Sequence, residues 1–209
     1  MRLYGESLKL KEQIGDVQGK AATLHAMAGI VAQQGDVEEA MRFYGESLKL
    51  NEQIGDVQGK AATLHQMAGI VAQQGDVGEA MRLYRESLKL KEQIGDVQGK
   101  AATLHAMAGI VAQQGDVQEA MRLYGESVKI EEQIGNVQGK AATLHNMAGI
   151  VAQQGDVEEA MRFYGESLKL KEQIGDVRGK AATLHAMAGI VARREMSRRR
   201  CVSTGNPSS

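Results

Sequence analysis

Residues 24–48 read LHAMAGIVAQQGDVEEAMRFYGESL, and the Gly35-Asp36 pair near their centre decides the fold. Gly suits the left-handed position just past a helix end, and Asp is a good N-cap for the helix that follows. The pair therefore predicts a turn between two helices. Before it, Leu24, Met27, Ala28 and Val31 fall at i, i+3, i+4 and i+7, a single apolar stripe. After it, Val37, Met41, Tyr44 and Leu48 form a second stripe, which Ala40, Phe43, Ser47, Leu50 and Ile54 widen. A helix apolar over so wide an arc must touch neighbours on two sides, as the second helix of a stacked hairpin does.

The same word recurs along the chain. Leu24, Leu64, Leu104, Leu144 and Leu184 keep a spacing of forty residues, and Gly-Asp recurs every twenty, with one lapse to Gly135-Asn136. The segments between turns span about seventeen residues, or roughly 26 Å of helix. An all-α array of helical hairpins follows, beginning with a lone second helix (about 2–14) and ending with a lone first helix (about 177–193). Hydrophobic residues are 43% of the 209, but aromatics are only 3% and Trp is absent, so the core must be built from Leu, Ile, Val, Met and Ala. The net charge of −1 hides a division: five arginines and one glutamate follow Ala192, leaving residues 1–192 mildly acidic. Such a body offers no electrostatic footprint for nucleic acid or an anionic membrane. The single Cys201 excludes an internal disulfide framework and a cysteine-based metal site. Neither a membrane-length apolar run nor a signal-peptide core is present, so a cytoplasmic protein is expected.

Residues 24–48 resemble the tetratricopeptide repeat (TPR): a large–small pair on the first helix, the Gly-Asp turn, then Ala and an aromatic on the second. Leu24, Met27, Ala28, Val31, Ala40 and Tyr44 match the family's packing positions. The usual repeat is about 34 residues and closes with Pro; here Glu52 stands in that place and the word is the forty-residue variant. The resemblance covers residues 1–192. It implies a right-handed superhelix of antiparallel hairpins, and a non-enzymatic scaffold that holds a protein or peptide in its concave groove.

Several motifs invite other chemistry. The stretch GDVQGKAAT suggests a phosphate loop, but Gly55 to Gly59 is one residue too short, Ala61 replaces the required hydroxyl, and the motif recurs at every repeat. An inter-repeat turn explains it. All five histidines, His25, His65, His105, His145 and His185, occupy one position of the word, and the resemblance places them on the groove. Successive first helices stand about 10 Å apart, too far for two imidazoles to reach one zinc ion at about 2.1 Å each. Copying of one ancestral residue and a groove-contact role both remain open for these histidines. No nucleophile–base pair or carboxylate dyad is present, and no cofactor or metal is expected.

Differences between copies show where the word is free. Ala26, Gln66, Ala106, Asn146 and Ala186 lie beside the groove and are the candidates for tuned contact. Gln33, Gln73, Gln113 and Gln153 extend the same surface. Two other sets, Glu38/Gly78/Gln118/Glu158 and Asn51/Lys91/Glu131/Lys171, are expected on a solvated face. The terminal-carboxylate clamp known in the TPR family uses Lys, Arg and Asn on the first helix; Ala22, His25, Gly29 and Gln33 stand there instead. The groove is thus small-residue, hydrogen-bonding and weakly charged.

The last residues, RREMSRRRCVSTGNPSS, break the pattern. One permitted coding of the expected continuation QQGDVEEAMRLYGESLKLK, with one nucleotide lost from its first codon, translates as this tail followed by a stop. Residues 194–209 are accordingly expected to be a frameshifted, disordered segment. Met1 stands in the register of Met41, so the chain is expected to be a piece of a longer array. Two further functions follow as alternatives: a sensor fragment of a larger bacterial signalling ATPase, and a truncated product without function. Leu3, Tyr4, Leu8 and Leu10 at one end, and Leu184, Met187 and Val191 at the other, predict head-to-tail self-association.

Overall fold

In the computed structural model the backbone is described for residues 1–204 and the side chains for residues 1–196. Among the described residues there are ten helices and no strand: α1 (Arg2–Gln13), α2 (Val17–Gln33), α3 (Val37–Ile54), α4 (Val57–Gln73), α5 (Val77–Gln93), α6 (Val97–Gln113), α7 (Val117–Gln133), α8 (Val137–Gln154), α9 (Val157–Gln173) and α10 (Val177–Thr204). The chain forms two compact units, the first Met1–Ile110 and the second from Val111 onward.

Local chemistry sets the helix ends as the sequence requires. Gly35 has φ +88° and Gly55 φ +70°, values a side chain rarely tolerates. Asp36 then caps α3 by accepting from the backbone N–H of Glu39 at 3.0 Å, and Asp56 caps α4 through Gly59 N–H at 2.9 Å. Asn136 does the same for α8 through Gly139 N–H at 3.0 Å, so its amide oxygen substitutes for the carboxylate. Each such cap is worth about 1 kcal/mol.

In the first unit the α2–α3 and α4–α5 hairpins stack, and α2 also meets α4 directly. Leu24, Met27, Ala28, Val31, Ala40, Phe43, Tyr44 and Ile70 form one buried cluster, which Leu8, Leu50 and Met67 flank. Leu24 is 2% exposed, a burial worth about 1.5–3 kcal/mol. Ser47, on the widened stripe of α3, is fully buried and donates to the backbone carbonyl of Ala21 at 2.9 Å; Ser87 donates likewise to Ala61 at 2.7 Å. These bonds fix the height at which the second helix meets the first. In the second unit α7–α8, α8–α9, α9–α10 and α8–α10 pack in the same manner, with Ser167 donating to Ala141 at 2.7 Å. The exposed Arg42–Glu39 and Arg42–Glu46 pairs add little by comparison.

Two expectations need correction. Helix α10 does not stop near 193 but runs to Thr204, so residues 194–204 are helical rather than disordered. The run from Val191 to Thr204 contains neither Gly nor Pro, and Arg, Glu and Met favour the helix. Residues 205–209 lie outside the described residues. The second correction concerns Asn51, Lys91, Glu131 and Lys171. They are 4%, 5%, 3% and 7% exposed, buried rather than solvated. Ala40, Tyr44, Ser47 and Asn51 continue one stripe at i, i+4, i+7 and i+11, which carries the fourth residue into the interface between repeats. The other variable set behaves as expected: Glu38, Gly78, Gln118 and Glu158 are exposed.

Candidate functional site

Helices α2 and α4 lie side by side, and the face of α2 bearing Ala22, His25, Ala26, Gly29 and Gln33 runs along their junction. Between them a cleft of about 430 Å³ is lined by His25, Ala26, Gly29, Ala32, Gln33 and Tyr44 on one side and by Gln66, Gly69, Ile70 and Gln73 on the other. That volume is in the range of ordinary ligand pockets. Its floor is small and its rim is amide: Gln33, Gln66 and Gln73 are exposed. None of its lining residues carries a formal charge at neutral pH, because burial lowers the His25 pKa below its ordinary value.

The glycines of this face lie beside the tyrosines of the second helices, at distances an added methyl would meet as ordinary contact. A Cβ at Gly29 would stand 3.5 Å from the Tyr44 hydroxyl, and one at Gly69 3.4 Å from that of Tyr84. The tyrosine thus reaches across its hairpin onto the first helix. Its ring also meets the histidine edge-on, with centroids 5.2 Å apart for His25–Tyr44 and 5.1 Å for His65–Tyr84. At Gly45 an added Cβ would meet open space.

The histidines are tied into the interface between repeats. His25 Nδ1 lies 3.0 Å from Thr63 Oγ1, His65 Nδ1 3.1 Å from Thr103 Oγ1, and His145 Nδ1 3.1 Å from Thr183 Oγ1. The bond network sets the tautomer. Thr103 Oγ1 donates its one proton to Gly99 O at 2.9 Å and accepts from Lys91 Nζ at 2.8 Å, so His65 must donate through Nδ1–H. Thr183 is bound in the same way by Lys171 Nζ at 2.8 Å and by its own bond to Gly179 O at 3.0 Å. Burial, with the nearby Lys91 ammonium second, pushes the His65 pKa down to about 4. Burial first and Lys171 second lower that of His145, and burial lowers that of His105. These rings are half-buried, and burial favours their neutral form.

The predicted residues are thus distributed unevenly. The cleft gathers His25, Gln33, Gln66 and Gln73. Gln113 and Gln153 are exposed in the equivalent register of α6 and α8, Asn146 is half-buried on α8, and His185 is exposed on α10. The buried Lys–Thr–His network has no local signature in its residue types, since hydrophilic, variable residues such as Lys91 read as solvated. Its signal was the spacing of four from the invariant serine. In the second unit Glu131 takes the lysine's place: Oε1 accepts from Thr143 Oγ1 at 3.2 Å, while Oε2 is buried without a hydrogen-bond partner. Burial raises its pKa. Among the described residues no group of three or more His, Cys, Asp or Glu converges as a metal site. No described helix is long and apolar enough to cross a membrane.

Family profiles described as tetratricopeptide repeat match residues 19–93, 59–133 and 141–174. The chain belongs to the tetratricopeptide-repeat family. No curated protein matches it in sequence. Among solved structures, this TPR chain is similar to BtubC (BKLC) from P. vanneervenii, with a TM-score of 0.71 and 15% identity over 100% of this chain and 92% of that one. Aspartyl phosphate phosphatase F from Bacillus subtilis aligns with a TM-score of 0.79 and 11% identity, over 94% of this chain and 55% of that one. The signal transduction ATPase with a tetratricopeptide repeat sensor from Pyrococcus horikoshii gives 0.76 and 18%, over 96% of this chain and 33% of that one. At these identities the likeness is one of fold alone. TPR families are generally non-catalytic scaffolds for protein interaction.

Proposed function

We propose that this TPR array is a non-catalytic scaffold that holds an extended, weakly charged polypeptide along the first-helix face, with the α2–α4 cleft as one of its seats. The observation that carries this is the cleft itself: a charge-free trough of small residues whose rim presents three exposed amides. An amide side chain both donates and accepts, so Gln33, Gln66 and Gln73 match the alternating N–H and C=O of an extended main chain. No lysine or arginine lines the cleft, so a terminal-carboxylate grip has no cation to use. No acid–base or nucleophile pair is gathered there either.

A second reading is that such an array serves as the sensor part of a larger signalling ATPase. It is favoured by the alignment of 96% of this chain onto a third of the Pyrococcus horikoshii protein. An ATP-binding domain encoded in frame with the array supports it, and unrelated flanking sequence counts against it.

The scaffold reading is tested by panning a random peptide library against the whole chain and measuring selected peptides against Gln66→Trp, which fills the cleft from an exposed position. Weakly charged peptides should be enriched and should lose about tenfold or more in affinity for the variant. Equal binding to both proteins, or enrichment confined to acidic C-termini, refutes the groove assignment.

A further inference from the structure

Beside Asn51 the repeat interface opens a second cavity of about 230 Å³, lined by His25, Asn51, Asp56, Gly59 and Thr63 and open past Ala22. The same chain shows what this place holds elsewhere. In the copy before it, Lys11 Nζ donates to Thr23 Oγ1 at 2.6 Å and to Gly19 O at 3.0 Å. In the copy after it, Lys91 Nζ donates to Thr103 Oγ1 at 2.8 Å and to Gly99 O at 3.3 Å. In the second unit Lys171 Nζ donates to Thr183 Oγ1 at 2.8 Å. The structure therefore contains three sockets, each built from a threonine hydroxyl and the surrounding first turn, each filled by a primary ammonium.

At Asn51 the acceptors stay and the ammonium goes. Thr63 is fully buried, and its one hydrogen-bond partner is His25 Nδ1 at 3.0 Å; the bond to the glycine carbonyl four residues back, made by Thr23, Thr103 and Thr183, is not formed. Asn51 is 4% exposed, and no lysine ammonium stands at its position. Its amide lines the cavity, where it can meet a donor from outside. Charge also fits. Burial lowers the pKa of the Lys91 and Lys171 ammonium groups, and the N-cap carboxylates Asp96 and Asp176 oppose that by favouring the charged form. Asp56 holds the same N-cap position at the Asn51 cavity.

We propose that the Asn51 cavity is a binding site for a primary alkylammonium group supplied from outside the chain. The ammonium donates to Thr63 Oγ1, the Gly59 carbonyl and Asn51 Oδ1, near Asp56, while its alkyl chain follows the path of the lysine stem in the sister sockets. A neutral alcohol of the same shape gains neither the charge interaction nor three donors. The group can come from a free amine or from a lysine side chain of a polypeptide.

The test titrates n-butylammonium into the full chain while following the Asn51 side-chain and Gly59 amide signals by NMR. The comparison variant is Asn51→Lys, which places the chain's own ammonium in the socket, as Lys91 and Lys171 already do. Wild type should show saturable shifts confined to the cavity, with n-butanol at least about tenfold weaker and Asn51→Lys at least about tenfold weaker. No saturable shift in wild type, an equal response to n-butanol, or an equal response in Asn51→Lys overturns the assignment. The probe is a free amine, so the test needs no peptide in the α2–α4 cleft. A second arm uses N-acetyl-lysine methylamide: tighter binding than n-butylammonium assigns the source to a polypeptide lysine, and weaker or equal binding assigns it to a free amine, both supporting the site.

Discussion

Acidification should destabilise this array through its buried histidines, and His65 allows the size to be worked out. Its ordinary value is 6.5, and burial together with the Lys91 ammonium holds the folded value at about 4. The folded pKa is therefore depressed below the unfolded one. Stability is intact above 6.5 and is lost as pH falls toward 4, because in that window the unfolded chain binds a proton that the folded chain refuses. Each tenfold preference for the neutral ring is worth about 1.4 kcal/mol, so moving from about pH 7 to about pH 5 should cost about 2 kcal/mol at this one residue. Urea denaturation at the two pH values, for wild type and for His65→Gln, isolates the effect from the carboxylates that titrate nearby. Glutamine can still bond Thr103 but does not titrate, so the variant should lose about 2 kcal/mol less than wild type. In Lys91→Met the ring's pKa should rise but stay below its ordinary value, since burial is the larger cause. An NMR titration that finds the His65 ring ionising near 6.5, or equal acid losses in wild type and His65→Gln, would show that burial of this ring does not oppose its protonation.

Other consequences are simpler to measure. Leu104, 2% exposed, should cost about 2–5 kcal/mol on truncation to Ala. Gln118→Glu, on the exposed face, should stay within about 0.5 kcal/mol in the same denaturation assay. Deleting residues 194–209 should change stability by less than about 1 kcal/mol, because the described side chains 194–196 are all exposed; a larger loss would mean that this helix packs on the array. Leu3 and Leu10 on α1 are 75% and 61% exposed, and Leu184 and Val191 on α10 are 46% and 45% exposed. Light scattering over a concentration series should therefore show weak head-to-tail association, and a strict monomer at about millimolar concentration contradicts it.

Much of the architecture was written in short-range signals. Gly35-Asp36 marks the turn, and the stripe Leu24–Met27–Ala28–Val31 marks the buried face, because helix geometry converts spacing directly into direction. The interface between repeats was less legible. His25 meets Thr63 across 38 residues, and nothing local in either segment announces the other. The variation of Lys91 between copies predicts a solvated face, yet its position four residues beyond Ser87 places it inside; there hydrogen bonds to Thr103 and Gly99 compensate its burial. The groove residues Gln33, Gln66 and Gln73 were recognised through family register, but only the packing of α2 against α4 shows them facing one cleft with His25. The polar composition of 194–204 predicts disorder, yet no residue there breaks a helix and the segment is helical.

The proposed seat of a polypeptide is the first-helix face of the α2–α4 pair. It is tested most directly by adding a library-selected peptide to the full chain and mapping which side-chain amide signals move in the NMR spectrum. Saturable shifts of the Gln33, Gln66 and Gln73 side-chain amides are expected, with the exposed Gln118 side chain unmoved. Shifts at Gln118 without any at the three cleft glutamines would contradict this seat.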